Sequence, residues 1–95
     1  MFETDGPAVI INPHAGLLNT RNNASEVERV LRRRFGAAAI HLTESEEHAQ
    51  TVLRSAVEQK VARVIVAGGD GTVHLAARIL AGSSVEMGLI PLGSA

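Results

Sequence analysis

The chain contains no cysteine, tryptophan or tyrosine, and only two of its 95 residues are phenylalanine. The absence of cysteine excludes a disulfide framework and a thiolate zinc site. With so few aromatic rings, the chain lacks the stacking surfaces that bind single-stranded nucleic acid. Its net charge of −1 also gives no general attraction to nucleic acid. We therefore expect no nucleic-acid partner.

Long apolar runs are missing as well. No stretch of the sequence approaches the ~20 apolar residues that a membrane-spanning helix needs. The N-terminus lacks the basic and then apolar segments of a signal peptide. From these absences we expect a cytoplasmic protein without a membrane span, and a peripheral contact with a membrane stays open. Hydrophobic residues make up 45% of the sequence and charged residues 20%, which indicates one small globular domain.

Short apolar segments alternate with amphipathic ones along the whole chain. The sequence predicts strands at residues 8–11, 38–42, 62–67 and 87–92, with a helix after each of the first three. Capping-box patterns predict helix starts at Ser25 and Thr43, and a glycine turn predicts the third helix from Thr72. Such alternation indicates an α/β fold in three layers, with a parallel sheet of about four strands and helices on both faces. The expected strand order is 2-1-3-4 or a close relative of it.

The third strand runs into a glycine turn at residues 68–72, Gly-Gly-Asp-Gly-Thr, which opens the third helix. Three glycines in four positions let the backbone approach a ligand closely, and the first turn of a helix attracts anions such as phosphate. Asp70 would repel a phosphate unless a metal ion, a proton or an acidic hydroxyl lies between them. That electrostatic conflict indicates that Asp70 takes part in chemistry and does not merely form the turn. The alternative is an ordinary turn in which Asp70 only caps the helix.

Polar and small residues follow each of the four predicted strands: Asn12, Thr43, residues 68–72, and Gly93 with Ser94. In a parallel sheet these carboxyl ends share one edge, where ligands of such sheets bind. We therefore predict a phosphate-binding edge. Thr43 has two compatible roles there, as a cap of the second helix and as a hydroxyl offered to a ligand.

Three motifs resemble those of the diacylglycerol kinase catalytic-domain family, which includes bacterial lipid kinases and the sphingosine kinases. They are Asn-Pro-His-Ala-Gly at 12–16, Gly-Gly-Asp-Gly-Thr at 68–72 and Ile-Pro-Leu-Gly-Ser at 90–94. They occur in the family's order, each after the expected strand, across essentially the whole chain. The resemblance implies the fold of the N-terminal domain of the NAD kinases and diacylglycerol kinases. It also implies an ATP-dependent kinase, with Mg²⁺, that phosphorylates a lipid hydroxyl such as that of diacylglycerol.

The resemblance implies a nucleotide along the strand-end edge. Asp70 is the expected catalytic residue, acting through Mg²⁺ or as the base for the lipid hydroxyl, and no residue is assigned as a protein metal ligand. The expected nucleotide-binding residues are Asn12, Gly16, Thr43, Gly68, Gly69, Asp70, Gly71, Thr72, Gly93 and Ser94.

The sequence departs from the family pattern at several points. Ala15 stands where serine is usual, and residues 73–75 lack a glutamate that the family often has there. The sequence ends inside the third motif, before the β-sandwich domain that completes the lipid and metal sites in the family. We therefore expect residues 1–95 to be a nucleotide-binding fragment that self-associates and is inactive as a lipid kinase. The alternatives are an NAD kinase-like domain and a non-catalytic nucleotide-binding or assembly module.

Overall fold

The computed structural model describes residues 6–12, 21–36 and 39–91 of the chain. Strands and helices alternate throughout these residues, as the sequence predicts. The elements are β1 (Ala8–Ile11), α1 (Arg21–Phe35), β2 (Ile40–Leu42), α2 (Glu46–Glu58), β3 (Arg63–Gly68), α3 (Asp70–Leu80) and β4 (Glu86–Pro91).

The four strands form one parallel sheet in the order β2-β1-β3-β4, which confirms the predicted topology. Val9 of β1 lies opposite Ile40 of β2 on one side and Ile65 of β3 on the other. The chain leaves β1 toward β2, whereas it leaves β3 toward β4 on the opposite side of the sheet. With right-handed crossovers, these opposite directions place α1 on one face and α3 on the other.

The core consists of two apolar clusters, one on each face of the sheet. Ile10 and Val66 belong to the cluster under α2 and α3, where Leu53 is fully buried. Val9 and Ile65 belong to the cluster under α1. The alternation of β1 and β3 residues between the two clusters explains why both strands are continuous apolar runs, as strands covered on both faces require.

The predicted start of the first helix is wrong. α1 begins at Arg21, four residues before Ser25, so the proposed cap residue lies inside the helix. A serine followed three residues later by glutamate is a local pattern, and it also occurs within helices that continue through it. The end of this helix is as predicted, because Gly36 adopts a positive φ of 90° and its N–H donates to the Arg32 carbonyl at 2.8 Å.

The predicted start of the second helix, at Thr43, is also wrong. The backbone N–H of Thr43 donates to the Ile11 carbonyl at 2.9 Å, so Thr43 still belongs to the pairing between β1 and β2. Ser45 is the N-cap of α2, and its Oγ accepts a hydrogen bond from the His48 N–H at 3.1 Å. α2 therefore begins only where the strand pairing has ended.

Apolar side chains are exposed on β4, which forms one edge of the sheet. Met87 is 38% exposed and Leu89 is 47% exposed, as expected for a sheet with an open edge. Self-association through this edge stays a prediction. Among the helices within residues 21–36 and 39–91, none has the length and apolar character needed to cross a membrane.

Candidate functional site

The glycine turn takes the chain from β3 into α3 with a single intervening residue. β3 ends at Gly68, Gly69 caps the helix, and α3 starts at Asp70, two residues earlier than predicted. The first helical hydrogen bond runs from the Val73 N–H to the Gly69 carbonyl at 3.0 Å. α-Helix geometry leaves the N–H groups of the first turn without acceptors inside the helix. These donors therefore lie directly at the carboxyl end of β3, where an anion can accept from them.

Gly68 and Gly71 have different surroundings. A Cβ atom on Gly68 would lie 3.1 Å from the Thr72 Cβ and 3.3 Å from its Oγ1, which is closer than ordinary van der Waals contact. Thr72 therefore packs closely against Gly68, and a Cβ at this position would force Thr72 to shift by a few tenths of an ångström. A Cβ atom on Gly71 would meet nothing within 4 Å. Gly71 thus leaves bare backbone facing open space, the condition for close approach of a ligand.

A side-chain hydrogen bond connects the ends of β1 and β3. The Asn12 Nδ2 donates to the Thr72 Oγ1 at 3.0 Å, across sixty positions of sequence. The Asn12 backbone N–H donates to the Ala67 carbonyl at 3.2 Å and so continues the pairing of the two strands. Thr72 is buried and Asn12 is half-buried. Two residues from the first two sequence motifs are thus brought together at the boundary between β1 and β3.

Thr43 lies at the same edge of the sheet, at the end of β2. Its hydroxyl donates to the Ile11 carbonyl at 3.3 Å, and the residue is only 1% exposed. This bond joins the end of β2 to β1, so the hydroxyl stabilises the pairing of these two strands. A contact between Thr43 and a nucleotide stays a prediction.

Asp70 is exposed at the first position of α3. A carboxylate is favourable there, because the helix dipole is positive at this end. Within the described part of the chain, no three His, Cys, Asp or Glu residues lie together as a metal site would require. The remaining predicted site residues, Gly16, Gly93 and Ser94, lie outside the described residues.

Four residues at this edge were not identified from the sequence. A cleft of about 200 Å³ lies beside the glycine turn, between the first turns of α2 and α3. Its lining adds Ser45, Glu46, Ala49 and Leu75 to the predicted residues Asn12, Gly71 and Thr72. The missed signal was Ser45 as N-cap: a helix that starts there has Glu46 as its first residue, beside the glycine turn.

Two histidines lie close to this edge, His41 in β2 and His48 in the first turn of α2. His41 of β2 lies opposite Ile10, whose side chain packs under α2, so His41 is directed toward that helix. Burial, and secondarily the nearby His48, lower the pKa of His41 below its usual 6.5. His48 secures the start of α2, because its Nδ1 accepts the Glu44 N–H at 3.0 Å.

Exchanging the two glycines for alanine should have opposite effects on stability. Thr72 is buried and bonded to Asn12, so it cannot easily move away from a new Cβ on residue 68. We expect Gly68→Ala to lower the free energy of unfolding by about 1–3 kcal/mol. Gly71→Ala should leave it unchanged or raise it by up to about 1 kcal/mol, since alanine favours the helix. Urea unfolding of both variants measures the difference, and equal destabilisation would contradict the assigned contacts.

The lowered pKa of His41 should make the fold sensitive to mild acid. Below about pH 6.5 the unfolded chain binds a proton at this histidine before the folded chain does, so folding becomes less favourable as the pH falls. We expect the Tm of His41→Gln to fall less than that of the unchanged chain between about pH 7.5 and about pH 5.5. Thermal unfolding followed by circular dichroism measures both slopes. Equal slopes would show that His41 is not the group responsible.

The sequence matches the family described as the diacylglycerol kinase catalytic domain over residues 7–95. YtlR of Bacillus subtilis (strain 168), which is named as a lipid kinase, is 34% identical over 89 residues, covering 90% of this chain and 29% of YtlR. A diacylglycerol kinase of Mycobacterium tuberculosis (strain CDC 1551 / Oshkosh) is 35% identical over 60 residues, covering 62% of this chain and 19% of the relative.

Solved structures agree with the sequence matches. A crystal structure of a diacylglycerol kinase from Bacillus anthracis str. Sterne superposes with a TM-score of 0.73 at 27% identity, covering 98% of this chain and 35% of that one. The chain thus spans about a third or less of the length of these relatives. With its motifs, its sheet order and these matches, the chain belongs to the diacylglycerol kinase catalytic-domain family.

Proposed function

We propose that this chain is the nucleotide-binding part of a lipid kinase that transfers the γ-phosphate of ATP to a lipid hydroxyl, such as that of diacylglycerol. The observation that carries the proposal is the bond between Asn12 and Thr72, which joins the first two motifs at the boundary between β1 and β3. Chain connections depart from this boundary in opposite directions, and ligands of open parallel sheets bind at such points.

The phosphates of the nucleotide would lie against the first turn of α3. The N–H groups of that turn are oriented donors at the positive end of the helix dipole. Gly71 places no side chain in front of them. Asn12 fixes the position of Thr72 and with it the orientation of the turn. These features would bind and orient the nucleotide, which is the phosphoryl donor. Catalysis of phosphoryl transfer consists mainly of such positioning together with electrostatic stabilisation.

Asp70 is the proposed catalytic residue, with two possible roles. Exposed at the edge of the turn, it can accept the proton of an attacking lipid hydroxyl as a general base. It can also hold Mg²⁺, because that ion binds through one or two carboxylates together with phosphate oxygens and needs no cage of protein ligands. When bound, Mg²⁺ would neutralise phosphate charge. The acceptor lipid would be positioned by the part of the relatives that lies outside this match, so we propose that residues 1–95 alone do not phosphorylate lipid.

Nucleotide binding by the 95-residue chain tests the proposal. We expect ATP to bind and Gly71→Ala to weaken binding by about tenfold or more, because the new Cβ would occupy open space beside the turn that we assign to the phosphates. Isothermal titration calorimetry measures both affinities. Urea unfolding of the same samples serves as the control, since this variant should be at least as stable as the unchanged chain. No ATP binding by the unchanged chain would refute the proposal.

The role of Asp70 requires a version of the chain extended to the length of its relatives. There, Asp70→Asn should reduce turnover of ATP and diacylglycerol by about a hundredfold or more, the contribution typical of a general base. Its ATP affinity should stay within a few-fold, because asparagine keeps the size of the side chain and removes the charge. Transfer of radiolabelled phosphate to lipid measures turnover. Normal turnover by the variant would leave Asp70 only a structural role in the helix start.

A further inference from the structure

The cleft beside the glycine turn has a chemistry of its own. We refer to the space lined by Asn12, Ser45, Glu46, Ala49, Gly71, Thr72 and Leu75 as the α2–α3 cleft. Gly71 and Thr72 form one of its walls, so it adjoins the position proposed for the phosphates. Glu46, the first residue of α2, is the acidic residue of the lining. Ala49 and Leu75 are buried and provide an apolar surface inside it.

The composition of this cleft argues against phosphate as its occupant. A phosphate group in the cleft would share it with the carboxylate of Glu46, and charges of the same sign repel. An ionised carboxylate offers only acceptors, so it selects a group that carries hydrogen-bond donors. Ser45 and Thr72 add hydroxyls and Asn12 adds an amide to the same lining. The apolar surface of Ala49 and Leu75 suits a ligand with C–H groups on one face.

The size of the cleft restricts its occupant further. Sites for complete drug-sized ligands usually measure about 300–1,000 Å³. At about 200 Å³, the α2–α3 cleft can hold a portion of a nucleotide, and the remainder must lie outside. Of the three portions, the triphosphate carries charge of the same sign as Glu46, and adenine lies one sugar away from the phosphates that adjoin Gly71. The ribose is joined directly to the phosphates and combines hydroxyl donors with an apolar ring face.

We propose that the α2–α3 cleft binds the ribose of the nucleotide and that Glu46 accepts hydrogen bonds from its 2′- and 3′-hydroxyls. This inference rests on the proposed nucleotide-binding function and assigns to Glu46 the discrimination between ribonucleotides and deoxyribonucleotides. A hydrogen bond to a charged group contributes more than one between neutral groups, so loss of a ribose hydroxyl should be costly for binding.

Affinities of the 95-residue chain for ATP, 2′-deoxy-ATP and 3′-deoxy-ATP test this assignment. We expect the unchanged chain to bind ATP about tenfold or more tightly than at least one deoxy analogue. Glu46→Gln should weaken ATP binding and bring this ratio close to one. Glu47→Gln is the matched control, because Glu47 also belongs to the first turn of α2 but does not line the cleft. It should keep both the affinity and the ratio.

Each other outcome separates this inference from the function on which it rests. If ATP and both deoxy analogues bind equally to the unchanged chain, nucleotide binding stands and the ribose assignment is overturned. The same holds if Glu46→Gln keeps the ratio. If Glu46→Gln weakens all three nucleotides equally, and only with Mg²⁺ present, Glu46 acts on a metal–phosphate unit and the assignment is wrong. If neither ATP nor inorganic tripolyphosphate binds, the proposed function fails together with the inference.

Discussion

The pairing of β1 with β3 is the contact on which the rest of the structure depends. Both strands are buried on both faces. They are the two central strands of the sheet, with β2 next to β1 on one side and β4 next to β3 on the other. The chain leaves these two strands in opposite directions, and ligands of open parallel sheets bind at such points. The hydrogen bond from Asn12 to Thr72 lies at this boundary and fixes the first turn of α3 against the end of β1.

Much of this arrangement could be predicted from the sequence because strong local signals agree with the global fold. Four apolar runs separated by amphipathic segments leave few alternatives to a parallel sheet, and handedness then restricts the strand order. The glycine turn was visible for the same reason. Three closely spaced glycines after a β-branched run mark a sharp turn whatever the tertiary context.

The errors have a common physical cause. Helix starts at Ser25 and Thr43 were predicted from patterns of four residues, which do not by themselves fix a helix start. For α2, the true start depends on a contact distant in sequence. Thr43 is held in the sheet by Ile11, thirty-two positions earlier, so the N-cap of α2 is Ser45. The α2–α3 cleft could not be predicted for the same reason. Its lining comes from separate segments of the chain, and only the packing of α2 beside α3 brings Glu46 and Gly71 to the same cleft.

At this edge of the sheet, the buried residues differ from the exposed ones in what they contribute to folding. Thr43, Gly68 and Thr72 are buried and bonded or packed against neighbouring backbone, so changes there act first on the fold. Asp70 and Glu46 are exposed in the first turns of their helices, where a carboxylate favours the helix start, and a Cβ at Gly71 would meet no neighbour. These two carboxylates bring no gain in packing, and they lie beside the turn to which we assign anion binding. Such a conflict between local electrostatics and anion binding is expected where a site must handle protons, metal ions or hydroxyls together with phosphate.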